Sequence, residues 1–176
     1  DAGSFVPLLS WDGSKHFGSG CYNTPYLTVS HGHPGVGGCD GFSSWRWATR
    51  RYVAEAAGTF RVKGEFGDGD LGCNSGDGVT LYIRLNNVNQ SFNVIGTGNV
   101  PSWNINPNDG TRQYWLDVTL SAGDVLDFAV APRFDQGCDD TYWTHNLRPL
   151  VTDNCGVNQP PSAPAISQSP AAGTII

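Results

Sequence analysis

Two loop stretches, the first of them glycine-rich, concentrate carboxylates in this chain. Residues 67–78 (GDGDLGCNSGDG) hold Asp68, Asp70 and Asp77, and the polar run 132–140 ends in Asp139 and Asp140. Aspartates held in turns can converge on a hard cation, because Ca2+ takes roughly six to eight oxygens from carboxylates and backbone carbonyls. A structural Ca2+ held by these five residues is therefore expected. Their spacing is not that of an EF-hand loop, and each is equally suited to bonding its own backbone in an Asx turn.

Aromatic side chains offer a second chemistry. Neutral sugars present C–H faces that stack on aromatic rings, while Asn, Gln, Asp and Arg bond the hydroxyls. Trp115 and Tyr82 occupy strand positions expected to point outward, and Arg84 shares the face of Tyr82. Trp103 stands alone in a Gly-, Asn- and Pro-rich run, and Trp11 has polar neighbours. Trp103, Trp115, Tyr82 and Arg84 are thus the expected carbohydrate-binding residues. The competing reading is that each covers a sheet edge, since isolated exposed aromatics are normal.

Catalysis has less to work with. A glycosidase needs two carboxylates on opposite sides of the scissile bond, and the glutamates, Glu55 and Glu65, lie near strands rather than in loops. No GxSxG or HExxH run is present. His31-Gly32-His33 offers two imidazoles with no carboxylate close in sequence, and its flanking glycines read as a solvated loop. The sequence therefore points to a module that binds rather than catalyses, with no catalytic residue assigned.

Five cysteines, at 21, 39, 73, 138 and 155, lie among Gly, Asn and Asp. Loop cysteines without CxxC or His/Cys spacing point to disulfides formed in an oxidising compartment rather than to zinc. Cys73 and Cys138 follow core strands and are expected to pair, with Cys21–Cys39 as a local staple. Cys155 is left over, to pair outside this segment, pair between chains or stay free. The net charge of -6 argues against nucleic acid or an anionic membrane as partner, since both require a basic surface. No signal peptide and no apolar run of ~20 residues is visible; the expectation is a mature secreted or cell-surface product that does not insert in a membrane.

The elements that must position these residues are strands. Charged residues make up only 15% of a chain with 23 Gly and 11 Pro, a turn-rich composition poor in helix formers. Tyr114, Leu116, Val118 and Leu120 recur at every second residue, the period of a strand with one buried face. Ser121 to Asp124 supply a turn, and Leu126, Phe128 and Val130 resume the alternation, so a hairpin is expected. Trp143, His145 and Leu147 form the same face of a third strand beside them. Phe60, Val62, Gly64 and Phe66 define another strand, as do Val79, Leu81, Ile83 and Leu85, and residues 91–95 a further one. Residues 96–110 read as a long surface loop. Trp45 and Trp47 share one face, with Trp47 expected in the core. Residues 1–44 read as a short edge strand followed by a long stapled loop.

The set GTFRVKGEF, GDGVTLYIRLNN, WLDVTLSAGDVLDFAVAP and CDDTYWTHNL resembles a β-sandwich module of carbohydrate-binding type, found in multidomain secreted and cell-surface bacterial proteins. The resemblance covers roughly residues 44–148 and does not extend to the first 43. It implies an all-β, antiparallel two-sheet sandwich, jelly-roll-like, with Trp143 and Leu147 on its closing strand. Cys73 and Cys138 depart from the simple pattern and suit a bridge between neighbouring loops, which would leave a rigid rim.

A domain boundary is expected near Asp153, where the composition turns to Pro and Ser. Residues 154–176 then form a polyproline-like linker and the first strand of a following module. An alternative function follows from that tail. If residues 156–176 add to the open edge of another copy, the chain would be a subunit of an extracellular filament or surface layer, locked through Cys155.

Overall fold

The computed structural model describes residues 8, 10–18, 24–36, 45–73, 75–135 and 137–150. These residues form strands and no helix. Five short strands come first: β1 (Ser10–Trp11), β2 (His16–Phe17), β3 (Tyr26–Leu27), β4 (His31–His33) and β5 (Gly35–Val36). β6 (Trp45–Arg46) and β7 (Ala48–Val53) lead into β8 (Gly58–Asp68) and β9 (Val79–Leu85). The short β10 (Val88–Asn89), β11 (Phe92–Val94), β12 (Gly98–Val100) and β13 (Trp103–Ile105) follow, and β14 (Arg112–Leu120), β15 (Val125–Pro132) and β16 (Thr141–Pro149) close the fold.

Two antiparallel sheets carry the structure. The larger runs β1-β2-β3-β4-β16-β8-β14-β11-β12, and the smaller β10-β9-β15-β7, with β13 also paired to β9. From β7 onward the main strands alternate between sheets: β7, β9, β13 and β15 in the smaller, β8, β11, β14 and β16 in the larger. This is the jelly-roll-like sandwich that the alternating pattern implies. Val62, Phe66, Leu116 and Val118 of the larger sheet face Leu81, Ile83, Leu126 and Phe128 of the smaller in one buried cluster. Rings bridge the layers, with Phe66 6.1 Å from Trp103 and Phe128 stacked on His145 at 4.1 Å.

Several expectations are corrected. β14 and β15 are not a hairpin: β14 pairs with β8 and β11, while β15 pairs with β7 and β9. The turn at 121–124 carries the chain from one sheet to the other, and β16 lies beside β8 rather than beside β15. Residues 96–110 are not a loop throughout, since β12 and β13 lie within them. His31-Gly32-His33 is β4, hydrogen-bonded to β16 and β3. It can dock there because Gly32 has no side chain: a Cβ would stand 2.9 Å from the buried indole of Trp143.

Trp47 is also not in the core. It lies half-buried on the outer face of the smaller sheet, stacked on Tyr82 with ring centroids 5.1 Å apart. The inward face of β7 is formed by Ala48, Arg50 and Tyr52 instead, and Arg50 reaches furthest across it. Its guanidinium lies 4.8 Å from the Trp143 ring and donates to the Thr28 carbonyl at 2.8 Å, tying the N-terminal strands to the sandwich.

Cys73 and Cys138 form the expected disulfide, Cα–Cα 5.5 Å, which joins the β8–β9 and β15–β16 loops. Cys21, Cys39 and Cys155, together with the tail 154–176 and the boundary at Asp153, lie outside the described residues. No helix among the described residues is long and apolar enough to cross a membrane.

Candidate functional site

The four residues expected to bind sugar do not form one platform. Trp103 packs between the sheets against Phe66, and its neighbour Ile105, two residues on, is buried. Tyr82 and Arg84 point outward from β9, where Tyr82 stacks on Trp47 and Arg84 lies 5.5 Å from the same indole. Arg84 also donates to the Asn87 carbonyl at 2.6 Å. Below this group Asp127, in line with both Arg84 and Arg51, takes two 2.7 Å bonds from Arg51. Rings and cations on this face are therefore largely engaged with one another.

Trp115 is on the opposite side of the molecule, on the outer face of the larger sheet, and is 37% exposed. Residues directly opposite in an antiparallel ladder share a face. The register places Asn99 beside Asn93, Asn93 beside Trp115, Trp115 beside Lys63 and Lys63 beside Asn146. The indole thus sits within a row of amide and ammonium groups spanning five strands. One neighbouring row reads Asp117, Arg61, Arg148 and the other Gln113, Glu65, Thr144. Asp117 accepts two 2.6 Å bonds from Arg61, which hold its carboxyl below the usual carboxylate range. This surface offers one apolar ring among many hydrogen-bonding groups.

The acidic residues gather differently from expectation. Asp77 and Asp139 meet Asp135, one carboxylate oxygen of each lying within 4.8 Å of the other two. Asp68 instead accepts the amides of Asp70, at 3.0 Å, and of Asn108. Asp140 lies near the Tyr26 hydroxyl, and Asp70 is exposed. Asp135 belongs to the same polar loop as Asp139, but nothing in its sequence context distinguishes it.

Backbone contact between the two loops creates this cluster. A Cβ on Gly76 would stand 1.8 Å from the Gly137 carbonyl oxygen, so only glycine permits the approach that the disulfide fixes. Asp77 is oriented by the amide of Phe134 at 2.8 Å, and Asp135 by that of Gly137 at 2.8 Å. Asp139 is 1% exposed, and neither of its oxygens has a hydrogen-bond partner. Burial, with Asp135 and Asp77 beside it, pushes this carboxyl up to about 8. No protein-family model, no curated protein and no solved structure matches the chain.

Proposed function

We propose that this domain is a non-catalytic extracellular module that binds carbohydrate on the outer face of its larger sheet, around Trp115. The observation that carries the reading is the row Asn99, Asn93, Trp115, Lys63 and Asn146. A pyranose ring stacked on the indole would have amide donors and acceptors within reach on both sides, which is the chemistry that sugar hydroxyls require. A flat face suits an extended glycan chain better than a single buried sugar. The Cys73–Cys138 bridge supports an oxidising, extracellular setting.

Retention on a panel of soluble and insoluble glycans tests this directly. Trp115→Ala is expected to weaken retention on a bound glycan by at least ~10-fold, equivalent to about 1.4 kcal/mol. Tyr82→Ala, on the opposite face, and Trp103→Ala, between the sheets, should leave it near the parent value. Undiminished retention of Trp115→Ala on a glycan that the parent binds would rule out this face.

A further inference from the structure

The rim cluster calls for a ligand of its own. Three carboxylates from two loops are held together by a disulfide and by the Gly76–Gly137 backbone contact, although like charges at such separation repel. Asp77 and Asp135 each receive a backbone amide. Asp139 receives nothing, yet both its oxygens are removed from water. A buried carboxylate without a partner is costly unless a proton or a cation neutralises it. Arg133 approaches, but its guanidinium donates to the Asp77 carbonyl at 2.8 Å and to the Asn106 side chain at 3.2 Å.

We infer that Asp77, Asp135 and Asp139 bind one Ca2+, with Asp139 as the ligand that has no other partner. The dimensions agree: oxygens about 2.4 Å from a calcium ion lie no more than ~4.8 Å from one another, and these do. The donor set is all oxygen, because the nearby Cys138 is locked in its disulfide. Such a set selects a hard cation over zinc or copper. Calcium suits it better than magnesium, because loop carboxylates without octahedral order match the looser shell. Bound there, the ion would join the two loops a second time, next to the disulfide. This inference is independent of where sugar binds.

The test is calorimetric titration of the chelator-treated full chain with Ca2+, paired with thermal melts. One Ca2+ per chain and a melting temperature that rises with Ca2+ and then saturates are expected. Asp139→Asn should abolish both responses while melting no lower than the parent in chelator, since an amide cannot add to the repulsion between Asp77 and Asp135. Asp135→Asn, at an exposed position, should fold normally and weaken binding by at least ~10-fold. Asp70→Asn should bind as the parent does. Absence of heat and of any melting shift up to ~10 mM Ca2+, beyond the weakest extracellular modules, would overturn the inference. So would unchanged binding in Asp135→Asn and Asp139→Asn, and an equal response to Mg2+ would overturn the assignment to calcium.

Discussion

Arg61 lies over the ring of Trp115, 5.0 Å from its centroid, while its guanidinium grips Asp117 through two bonds of 2.6 Å. The carboxylate therefore fixes the cation, and the cation covers one side of the indole. A ring held in this way meets a ligand with less conformational freedom to lose than a free one. Arg61→Ala is expected to reduce glycan retention by roughly 2- to 5-fold, in the range of an exposed cation–π contact. Because both partners are solvent-accessible, the melting temperature should move by less than ~2 °C. A large fall in stability with unaltered retention would mean that the pair is structural and does not orient the ring.

His145 makes stability depend on pH. Its imidazole is stacked on Phe128 between the sheets, its Nδ1 is buried without a partner, and desolvation lowers its pKa to about 4 from an ordinary 6.5. A base with a depressed folded-state pKa takes up its proton more readily in the unfolded chain. Its contribution is therefore fully present above about 6.5 and is lost as pH falls towards 4. At ~1.4 kcal/mol per pH unit across that window, the loss is on the order of 3 kcal/mol. His145→Phe keeps a ring against Phe128 and removes the titration. Urea unfolding of parent and variant at pH 7, 5.5 and 4.5 should show a stability difference that shifts in favour of the variant as pH falls. A difference independent of pH would sink the assignment.

Much of the sandwich can be read from two-residue periodicity. β9 and β14 alternate, and Val62, Leu81, Leu116 and Phe128 are buried as their spacing implies, although β15 is buried on both faces from Leu126 to Pro132. Periodicity tells which side of a strand is buried, however, not which strand lies beside it. That is why β14 and β15 read as a hairpin yet stand in opposite sheets. β13 was hidden because three residues between Pro101 and Pro107 are too few to show a period. β4 was hidden because its pairing depends on a distant indole, that of Trp143, filling the space left by Gly32. At the rim, two loops following core strands were enough to pair Cys73 with Cys138. Loop carboxylates carry no period, so the meeting of Asp135 with Asp77 and Asp139 became visible only in three dimensions.

Gly32 should tolerate no side chain. An added Cβ would meet three atoms of the Trp143 indole at 2.9 to 3.0 Å, and Trp143 is itself buried and covered by Arg50. The indole has no free space to enter, so β4 must move off β16. Overpacking of this kind costs about 1–3 kcal/mol. Gly32→Ala should lower the urea midpoint accordingly and speed amide exchange in β3 and β4, while β14 and β15 keep their protection. Equal acceleration in all four strands would show that the N-terminal strands are not a separable layer.

The Cys73–Cys138 bridge closes a loop with a sequence separation of 65. On the chain-entropy account a closure of that length stabilises by about 4 kcal/mol, less any native strain. The double variant Cys73→Ala, Cys138→Ala is therefore expected to lose 2–4 kcal/mol, on the order of typical measured values. A second effect should accompany it. Without the bridge, the Gly76–Gly137 contact, the amide bonds to Asp77 and the Arg133 bond to its carbonyl are left to oppose repulsion among the three carboxylates, so the loops should loosen and Ca2+ affinity should fall by at least ~10-fold. Retention on glycan should persist, because Trp115 belongs to β14, far in sequence from both loops. Calcium titration and glycan retention of the double variant, measured together below its melting temperature, separate the two sites. Loss of both at once would show that rim and sheet face act as one unit.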